Sequence, residues 1–298
     1  MDNKHPPRLA IIGGSGLYDL PGLTDTRWVA VDTPWGEPSD EIFLGRLATE
    51  QGVAELAFLP RHGRGHRIPP NEVNYRANIA ALKLLGATDV LSLSAVGGLR
   101  ADLPPGTFAI VDQYIDRTVA RASSFFGSGL VAHVSLADPV CSRLGDHLQA
   151  TLARQGVPFV RGGTYLTIEG PQFSTRAESH LYRSWNCSVI GMTNMPEAKL
   201  AREAELCYAS VSMVTDFDCW HPAHDAVTVD AVIKVLLGNV QNARGLVSAL
   251  AGAVAADANG AACACRHALD NAIMTAPEAR DPAMLQRLRA IAARVLPP

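Results

Sequence analysis

Six short, mainly apolar runs constrain the fold of this chain more than any other feature. They occupy residues 9–12, 56–59, 90–93, 108–111, 189–192 and 208–214, and each is broken off by glycine, proline or a polar residue. Runs of that length between turn signals read as strands buried on both faces. Helical patterns lie between and after them. Residues 75–85 end on Gly86, a helix stop, and residues 197–205 start just behind Pro196, which suits a first helical turn. A third helix begins at Thr228 as N-cap with Asp230 in its first turn, and carries Val232, Leu236, Val240, Ala243 and Leu246 at three- and four-residue steps. A last helix is expected over 280–295. Strands alternating with helices define an α/β fold, in which ligands bind at the loops that follow strand ends. No internal repeat or low-complexity linker divides the 298 residues, so one domain over 1–298 is expected, with a helical extension from about 257.

With 26 basic and 29 acidic side chains the net charge is −3, which argues against an electrostatic grip on nucleic acid and points to a small-molecule partner. No window comes near the ~18 consecutive apolar residues of a membrane span, and the start MDNKHPPRLAII carries no signal-peptide pattern. A cytoplasmic protein is expected, and in that reducing compartment the six cysteines are expected as thiols. Cys263-Ala264-Cys265 has no second cysteine or histidine pair at zinc spacing, so no metal is expected.

Residues with chemistry to offer gather at the ends of these runs. Gly13-Gly14-Ser15-Gly16 lets backbone N–H groups approach an anion and adds the Ser15 hydroxyl, although a plain turn fits equally well. It is not a dinucleotide fingerprint, because Asp19 stands where a glycine is needed, and it lacks the G-K-S/T of a P-loop. Arg61 and His62 follow the second run, where an arginine offers phosphate a planar fork of donors or simply faces solvent. Ser94 and the Ala95 amide follow the third run and Thr193 the fifth, places that ordinary strand-to-loop turns would also explain. Hydroxyls and an Arg-His pair at separate strand ends fit one phosphate better than they fit unrelated turns. Thr215-Asp216-Phe217-Asp218 closes the last run. If the chain stays extended there, Asp216 and Asp218 project to one side and can share protons with a purine edge; the alternative is two capping or solvated aspartates.

The phrases IIGGSGLYDL, DTPWGEPSD, LPRHGRGH, VNYRANIAALK, DQYIDRT, TIEGPQFSTRAES, GMTNMPEAKLAREAELCYAS and TDFDCW follow in that order from residue 8 to about 250. Together they resemble the S-methyl-5'-thioadenosine phosphorylases of the trimeric purine-nucleoside phosphorylase superfamily. The resemblance implies a single nucleoside-phosphorylase-like domain with a central mixed β-sheet flanked by helices. It also implies an enzyme that uses phosphate as co-substrate, without a cofactor, to split S-methyl-5'-thioadenosine into adenine and 5-methylthio-α-D-ribose 1-phosphate in purine and methionine salvage. Phosphate contacts are implied for Ser15, Arg61, His62, Ser94, Ala95 and Thr193, with serine at positions 15 and 94 where the family often has threonine. Met192 is implied at the ribose, Phe173 and Ser174 beside the base, Asp216 at purine N7 as the catalytic group, and Asp218 at the 6-amino group.

An ionised Asp218 only accepts hydrogen bonds, which favours adenine over the 6-oxopurines of an inosine, guanosine or methylthioinosine phosphorylase. Val227, Val229 and Val232 are implied around the methylthio group, core packing being the alternative. His133 implies a site completed by a neighbouring subunit, and so a homotrimer or a dimer of trimers. Some members with a Cys-x-Cys tail form disulfides, which implies Cys141–Cys207 and Cys263–Cys265 as alternatives to free thiols. The tail beyond 250 departs from shorter members, so no C-terminal lid contact carries over. A reading of another class, a non-catalytic nucleoside binder, would hold adenine nucleosides without phosphate-dependent release of base.

Overall fold

Side-chain alternation along the strands decides how the layers form. The structure, a computed structural model, describes residues 8–14, 16–222, 229–257 and 260–297. Its strands are β1 (Arg8–Gly13), β2 (Leu23–Val29), β3 (Ile42–Thr49), β4 (Gly52–Pro60), β5 (Ala87–Gly98), β6 (Phe108–Ile110), β7 (Gln113–Asp116), β8 (Phe159–Arg161), β9 (Thr164–Thr167), β10 (Cys187–Gly191) and β11 (Cys207–Asp216). Its helices are α1 (Tyr75–Leu84), α2 (Ser142–Gln155), α3 (Arg176–Ser184), α4 (Asn194–Glu203), α5 (Val229–Ala256) and α6 (Pro282–Ala292).

In β1, Leu9 and Ile11 enter one buried cluster while Ala10 and Ile12 enter another; in β4, Leu56 and Phe58 alternate with Ala57 and Leu59 in the same way. Helices α2 and α5 cover the first face through Leu144, Leu148, Leu246 and Leu250. Helices α1, α4 and α6 cover the second through Ile79, Leu200 and Leu288. Both faces being covered is why the strands read as continuous apolar runs, and each fully buried leucine or isoleucine contributes roughly 1.5–3 kcal/mol. No described helix is long and apolar enough to cross a membrane.

The described strands join one 11-stranded mixed sheet. β4, β1, β5 and β11 are neighbours in parallel, and β2, β3 and β4 form an antiparallel meander beside them. β11 lies along one edge of β5. The other edge is shared: β1 pairs with β5 only as far as Ser92, and β10, running antiparallel, pairs only with Gly97 and Gly98. Residues 93–96 therefore have no strand partner on that edge. A parallel sheet that divides at the carboxyl ends of its strands leaves a crevice there, the usual place for a ligand.

Each of the six apolar runs falls on a strand, and the expected helices over 75–85 and 280–295 appear as α1 and α6. Two expectations change. Ser94 does not begin a loop, because β5 continues through Gly98. The segment expected as a helical extension is part of the core: Leu269, Leu288, Ile291 and Leu296 are buried with α1 and α4. Thr228, expected as an N-cap, lies outside the described residues. Helix α3 was not anticipated, although its signal is local. Thr175 accepts from the Glu178 amide and the Glu178 carboxylate accepts from the Thr175 amide, a reciprocal capping box.

Candidate active site

The carboxyl ends of four parallel strands bring together residues far apart in sequence. β1 delivers Gly13, β4 delivers Arg61 and His62, β5 delivers Ser94 to Gly97, and β11 delivers Asp216. The Arg61 amide donates to Gly13 O at 3.0 Å, closing the first two ends on each other.

Arg61 does not face solvent; it is 2% exposed. Its Nε donates to Glu197 Oε2 at 2.9 Å, Nη1 to Leu93 O at 3.2 Å, and Nη2 to Ser92 Oγ at 2.6 Å. The Glu197 carboxylate also accepts from the Tyr208 hydroxyl at 2.8 Å. Burial acts against the Arg61 charge, and Glu197 more than offsets it, so the net shift is upward and the cation is kept. The fork expected to clasp phosphate is thus spent largely on the protein, and one Nη1 proton is left over. Leu93, two residues before Ala95, turns its carbonyl to Arg61 on the unpaired edge of β5, so the Ala95 amide points to that same edge.

Beside this pair sits a group of buried hydroxyls. Ser94 Oγ, Thr193 Oγ1, Tyr165 OH and Ser212 Oγ are buried and have no hydrogen-bond partner among the described residues. Ser94 and Ser212 are opposite each other in the β5–β11 register. Burial raises the Tyr165 phenol above its ordinary value, opposed by the adjacent Ser94 and Thr193 hydroxyls and by the Arg61 charge, which puts all of them in one cluster. Each unsatisfied buried group costs on the order of 1–3 kcal/mol, so the cluster is built to be completed by a polar ligand. Thr193 is the N-cap of α4 and caps no amide with its side chain, which leaves the hydroxyl free. His62 Nδ1 lies 2.9 Å from Ile68 O, and a carbonyl only accepts, so Nδ1 is the donor and Nε2 the free acceptor of the neutral ring. Burial, with the Arg61 charge second, lowers its pKa to about 4.

On the far side of Gly97 stand the aspartates. The chain does not stay extended beyond β11: Asp218 has φ +49°, and its amide donates to Asp216 Oδ1 at 2.8 Å. The two carboxylates are brought together by this turn instead of by strand alternation. Asp216 Oδ2 accepts from Thr215 Oγ1 at 2.8 Å. Burial raises both pKa values, most directly opposed by the Thr215 hydrogen bond at Asp216 and by Ser179 at Asp218. A Cβ on Gly97 would lie 3.0 Å from Asp216 Oδ1 and 3.2 Å from Asp218 Cβ, so glycine is what lets the pair close on β5. Ser174 joins the same region: its carbonyl accepts from Cys219 Sγ at 3.4 Å, and its own hydroxyl is buried without a partner among the described residues. Phe173 beside it is 49% exposed, so its ring is available at the surface.

Met192 is held by a residue the sequence reading missed. The Arg121 guanidinium is 2% exposed, donates to Met192 O and Met195 O at 2.7 Å each and to Glu169 O at 2.6 Å, and pairs with the Glu169 carboxylate. It ties the loop before Phe173 to the loop before α4. Glu197, Tyr165 and Arg121 carry no motif of their own. Only the alternating serines of Ser92-Leu93-Ser94 and Ser210-Val211-Ser212, polar positions facing inward from apolar strands, signalled a polar seam on this face.

The other expected residues fall elsewhere. Ser15 and Val227 lie outside the described residues. Val229 is 60% exposed, Val232 is half-buried, and both sit in the first turns of α5. His133 is exposed on a segment whose amide donates to Ala272 O at 2.9 Å, apart from the cluster around Gly97. All six cysteines are free thiols, so neither Cys141–Cys207 nor Cys263–Cys265 carries a disulfide. The argument against a metal also fails: Cys141 and Cys207 supply in space the second pair that Cys263 and Cys265 lack in sequence.

Parallel strands end in unpartnered hydroxyls and a buried guanidinium on one side of Gly97 and in paired carboxyls on the other, and comparison with known proteins shows the family. The phosphorylase superfamily profile matches residues 8–252, and the chain belongs to that family. It is 59% identical over 290 residues to an S-methyl-5'-thioadenosine phosphorylase of Rhodospirillum rubrum, covering 97% of both chains, and 58% identical to one from Cereibacter sphaeroides, covering 97% of this chain and 98% of that one. The crystal structure of a methylthioadenosine phosphorylase from an antarctic soil metagenomic library superposes with a TM-score of 0.89 at 48% identity, covering 97% of this chain and 99% of that one.

The His62 geometry predicts its titration. In the unliganded protein its NMR midpoint is expected at about 4, and added phosphate, whose negative charge favours imidazolium, should move it upward. Because the unfolded ring binds its proton near pH 6.5, the unfolded state carries more protons between those values, so stability falls as pH drops from about 6.5 towards 4. A free-enzyme midpoint near 6.5 would contradict this placement.

Proposed function

We propose that this chain is an S-methyl-5'-thioadenosine phosphorylase. It transfers the 5-methylthioribosyl group from adenine to inorganic phosphate, with no cofactor, as a cytoplasmic enzyme of purine and methionine salvage. The observation that carries this reading is the pairing of two unlike sites around Gly97: unpartnered hydroxyls over the Arg61 cation, and two buried carboxyls with raised pKa.

Phosphate is held by Ser94, Thr193, the Ala95 amide, His62 and the remaining Arg61 proton, with Ser15, two residues after Gly13 in sequence, as a further donor. In this place it stands below C1' of the sugar. The C1'–N9 bond breaks ahead of attack, so positive charge on the ribosyl group is stabilised by the phosphate that then bonds to C1' from the α face. The bond pair passes into the purine. Asp216, whose pKa burial raises, donates to N7 in its protonated form, and the proton that hydrogen phosphate loses on becoming an ester balances the one the base takes up. His62 Nε2, an acceptor, suits the phosphate hydroxyl. Met192 lies against the ribose, held by Arg121, while Phe173 and Ser174 flank the base and Asp218 accepts from its 6-amino group.

Oligomerisation supplies the remainder. Arg244 on α5 donates to Gly16 O at 2.9 Å, beside the carboxyl end of β1. The fifteen residues of α5 before it reach roughly 22 Å further at 1.5 Å per residue. Along that length Val229, Ile233 and Leu237 form an i, i+4, i+8 stripe, exposed by 60%, 46% and 68%. A second copy of the chain covers such a stripe, and His133 reaches the neighbour's 5' pocket, where Val227, Val229 and Val232 receive the methylthio group. The assembly is a trimer or a pair of trimers.

Replacing Asp216 by asparagine should lower kcat by roughly 10²–10⁴ with an unchanged unfolding profile, and turnover near that of the parent would remove Asp216 from its role. In steady-state assays, phosphate-dependent release of base should be faster from methylthioadenosine than from inosine, and Asp218→Asn should narrow that gap by admitting a 6-oxo group. Preference of the parent protein for inosine overturns the substrate, and tight nucleoside binding without any release overturns catalysis. Sedimentation should show a trimer or hexamer, with His133→Ala raising KM for methylthioadenosine more than it changes kcat. A fully active monomer would refute the shared site.

A further inference from the structure

Four thiols converge at the end of β11 opposite to Asp216. The Sγ atoms of Cys141, Cys207, Cys263 and Cys265 all lie within 4.8 Å of one another, and Cys141 Sγ is 3.6 Å from Cys263 Sγ. We propose that these four cysteines bind one zinc ion in a closed tetrahedral site that fastens the C-terminal segment to the sheet.

The spacing carries the argument. At Zn–S of about 2.3 Å, tetrahedral geometry sets sulfurs roughly 3.8 Å apart, and four sulfurs all within 4.8 Å of one another, one pair at 3.6 Å, are close to that arrangement. The donors come from fixed elements. Cys141 is the N-cap of α2 with no side-chain cap bond, and its amide donates to Tyr208 O at 2.8 Å, locking it beside Cys207 at the start of β11. Cys263 is the N-cap of a short turn, and one residue separates it from Cys265. Cys141, Cys207 and Cys265 are buried, and the set contains no oxygen or histidine ligand, which selects a thiophilic ion over magnesium or calcium.

Two guanidiniums serve a tetrathiolate of charge −2. Arg202 Nη1 donates to Cys265 Sγ at 3.6 Å, and Arg143, anchored by Asp89 and Asp257, lies beside Cys207 with a buried Nε that has no hydrogen-bond partner among the described residues. Cationic N–H donors around the sulfurs are the outer shell such a site needs. Binding exchanges protons only: four S–H bonds give up protons to solvent as four Zn–S bonds form, with no change of oxidation state. The ion has no open coordination position, so its role is structural. It joins α2, β11 and the segment after α5, and stands about 30 Å along β11 from Asp216 at ~3.3 Å per residue.

The test uses the full chain, expressed and purified under reducing conditions, and elemental analysis. About one zinc per chain is expected, released by a mercurial thiol reagent in step with loss of the thiols, and Co²⁺ exchanged into the site should show sulfur-to-cobalt charge-transfer absorption of a tetrahedral complex. The double variant Cys263→Ser, Cys265→Ser should lose the zinc and unfold at lower temperature while kcat stays within about two-fold, because distant sites act independently. Four titratable thiols that take up no added Zn²⁺ would overturn the proposal. So would iron in place of zinc, zinc retained by the double variant, or sulfurs paired as disulfides that still bind no zinc after reduction. Each of these outcomes leaves the phosphorolysis assay untouched, so the two proposals fail separately.

Discussion

The Arg61–Glu197 pair is the interaction on which the site depends. Its two partners are 136 residues apart, both almost fully buried, and joined at 2.9 Å. Through the guanidinium the ends of β1, β4 and β5 are drawn to one point, and through the carboxylate α4 and the Tyr208 phenol are added. Breaking such a pair from one side costs on the order of 3–5 kcal/mol, because the remaining charge stays buried and alone. The pair therefore fixes where the N-terminus of α4 lies, and with it the free Thr193 hydroxyl. It also supplies, beside the Ser94 and Thr193 hydroxyls, a positive charge that never has to be brought in from solvent. Preorganised charge in a water-poor setting is worth more than the same charge at a surface. That is the physical reason to bury an arginine here in place of leaving it on a flexible loop.

Legibility in the sequence followed how local the physics is. The strands of the parallel core were readable because both faces are covered and their runs are mainly apolar. β2 was not, since its residues are mostly exposed and carry no strong alternation. Helix α3 was readable in principle from Thr175 and Glu178 alone. For the site, residue types at strand ends signalled an anion and a carboxyl pair, and the strands carried most of those residues to one crevice. What the residues do with their donors was not readable. Arg61 was expected to face its ligand with an open fork, yet most of that fork is taken by Glu197, Ser92 and Leu93. Asp216 and Asp218 meet through a left-handed turn whose φ no pattern announces. Tyr165, Glu197 and Arg121 act through partners that only the fold places beside them.

The cysteines make the same point in reverse. Spacing along the chain argued against a metal because it counted only Cys263 and Cys265. Cys141 lies 122 residues from Cys263, and the parallel pairing of β11 with β5, together with the seating of α2 on that face, brings them to 3.6 Å. Motif spacing is a good guide where ligands share one hairpin or one helix. It fails where a sheet does the gathering.

β11 thus carries different chemistry at its two ends, and its burial explains how both can be kept. Nine of its ten residues are buried, with Asp216 alone at the crevice partly open. A strand so enclosed moves little, so a carboxyl at its tip holds its position against the β5 backbone through Gly97. Helix α5 is built the other way. Its later turns, with Leu246, Val247 and Leu250 fully buried, hold it to the sheet, while its first turns expose the apolar side chains of Val229, Ile233 and Leu237. Rigid strands fix the groups gathered around Gly97. The exposed stripe of Val229, Ile233 and Leu237 is the surface that the proposed assembly would cover, and affinity for a 5' substituent would then depend on assembly while the groups around Gly97 come from one chain.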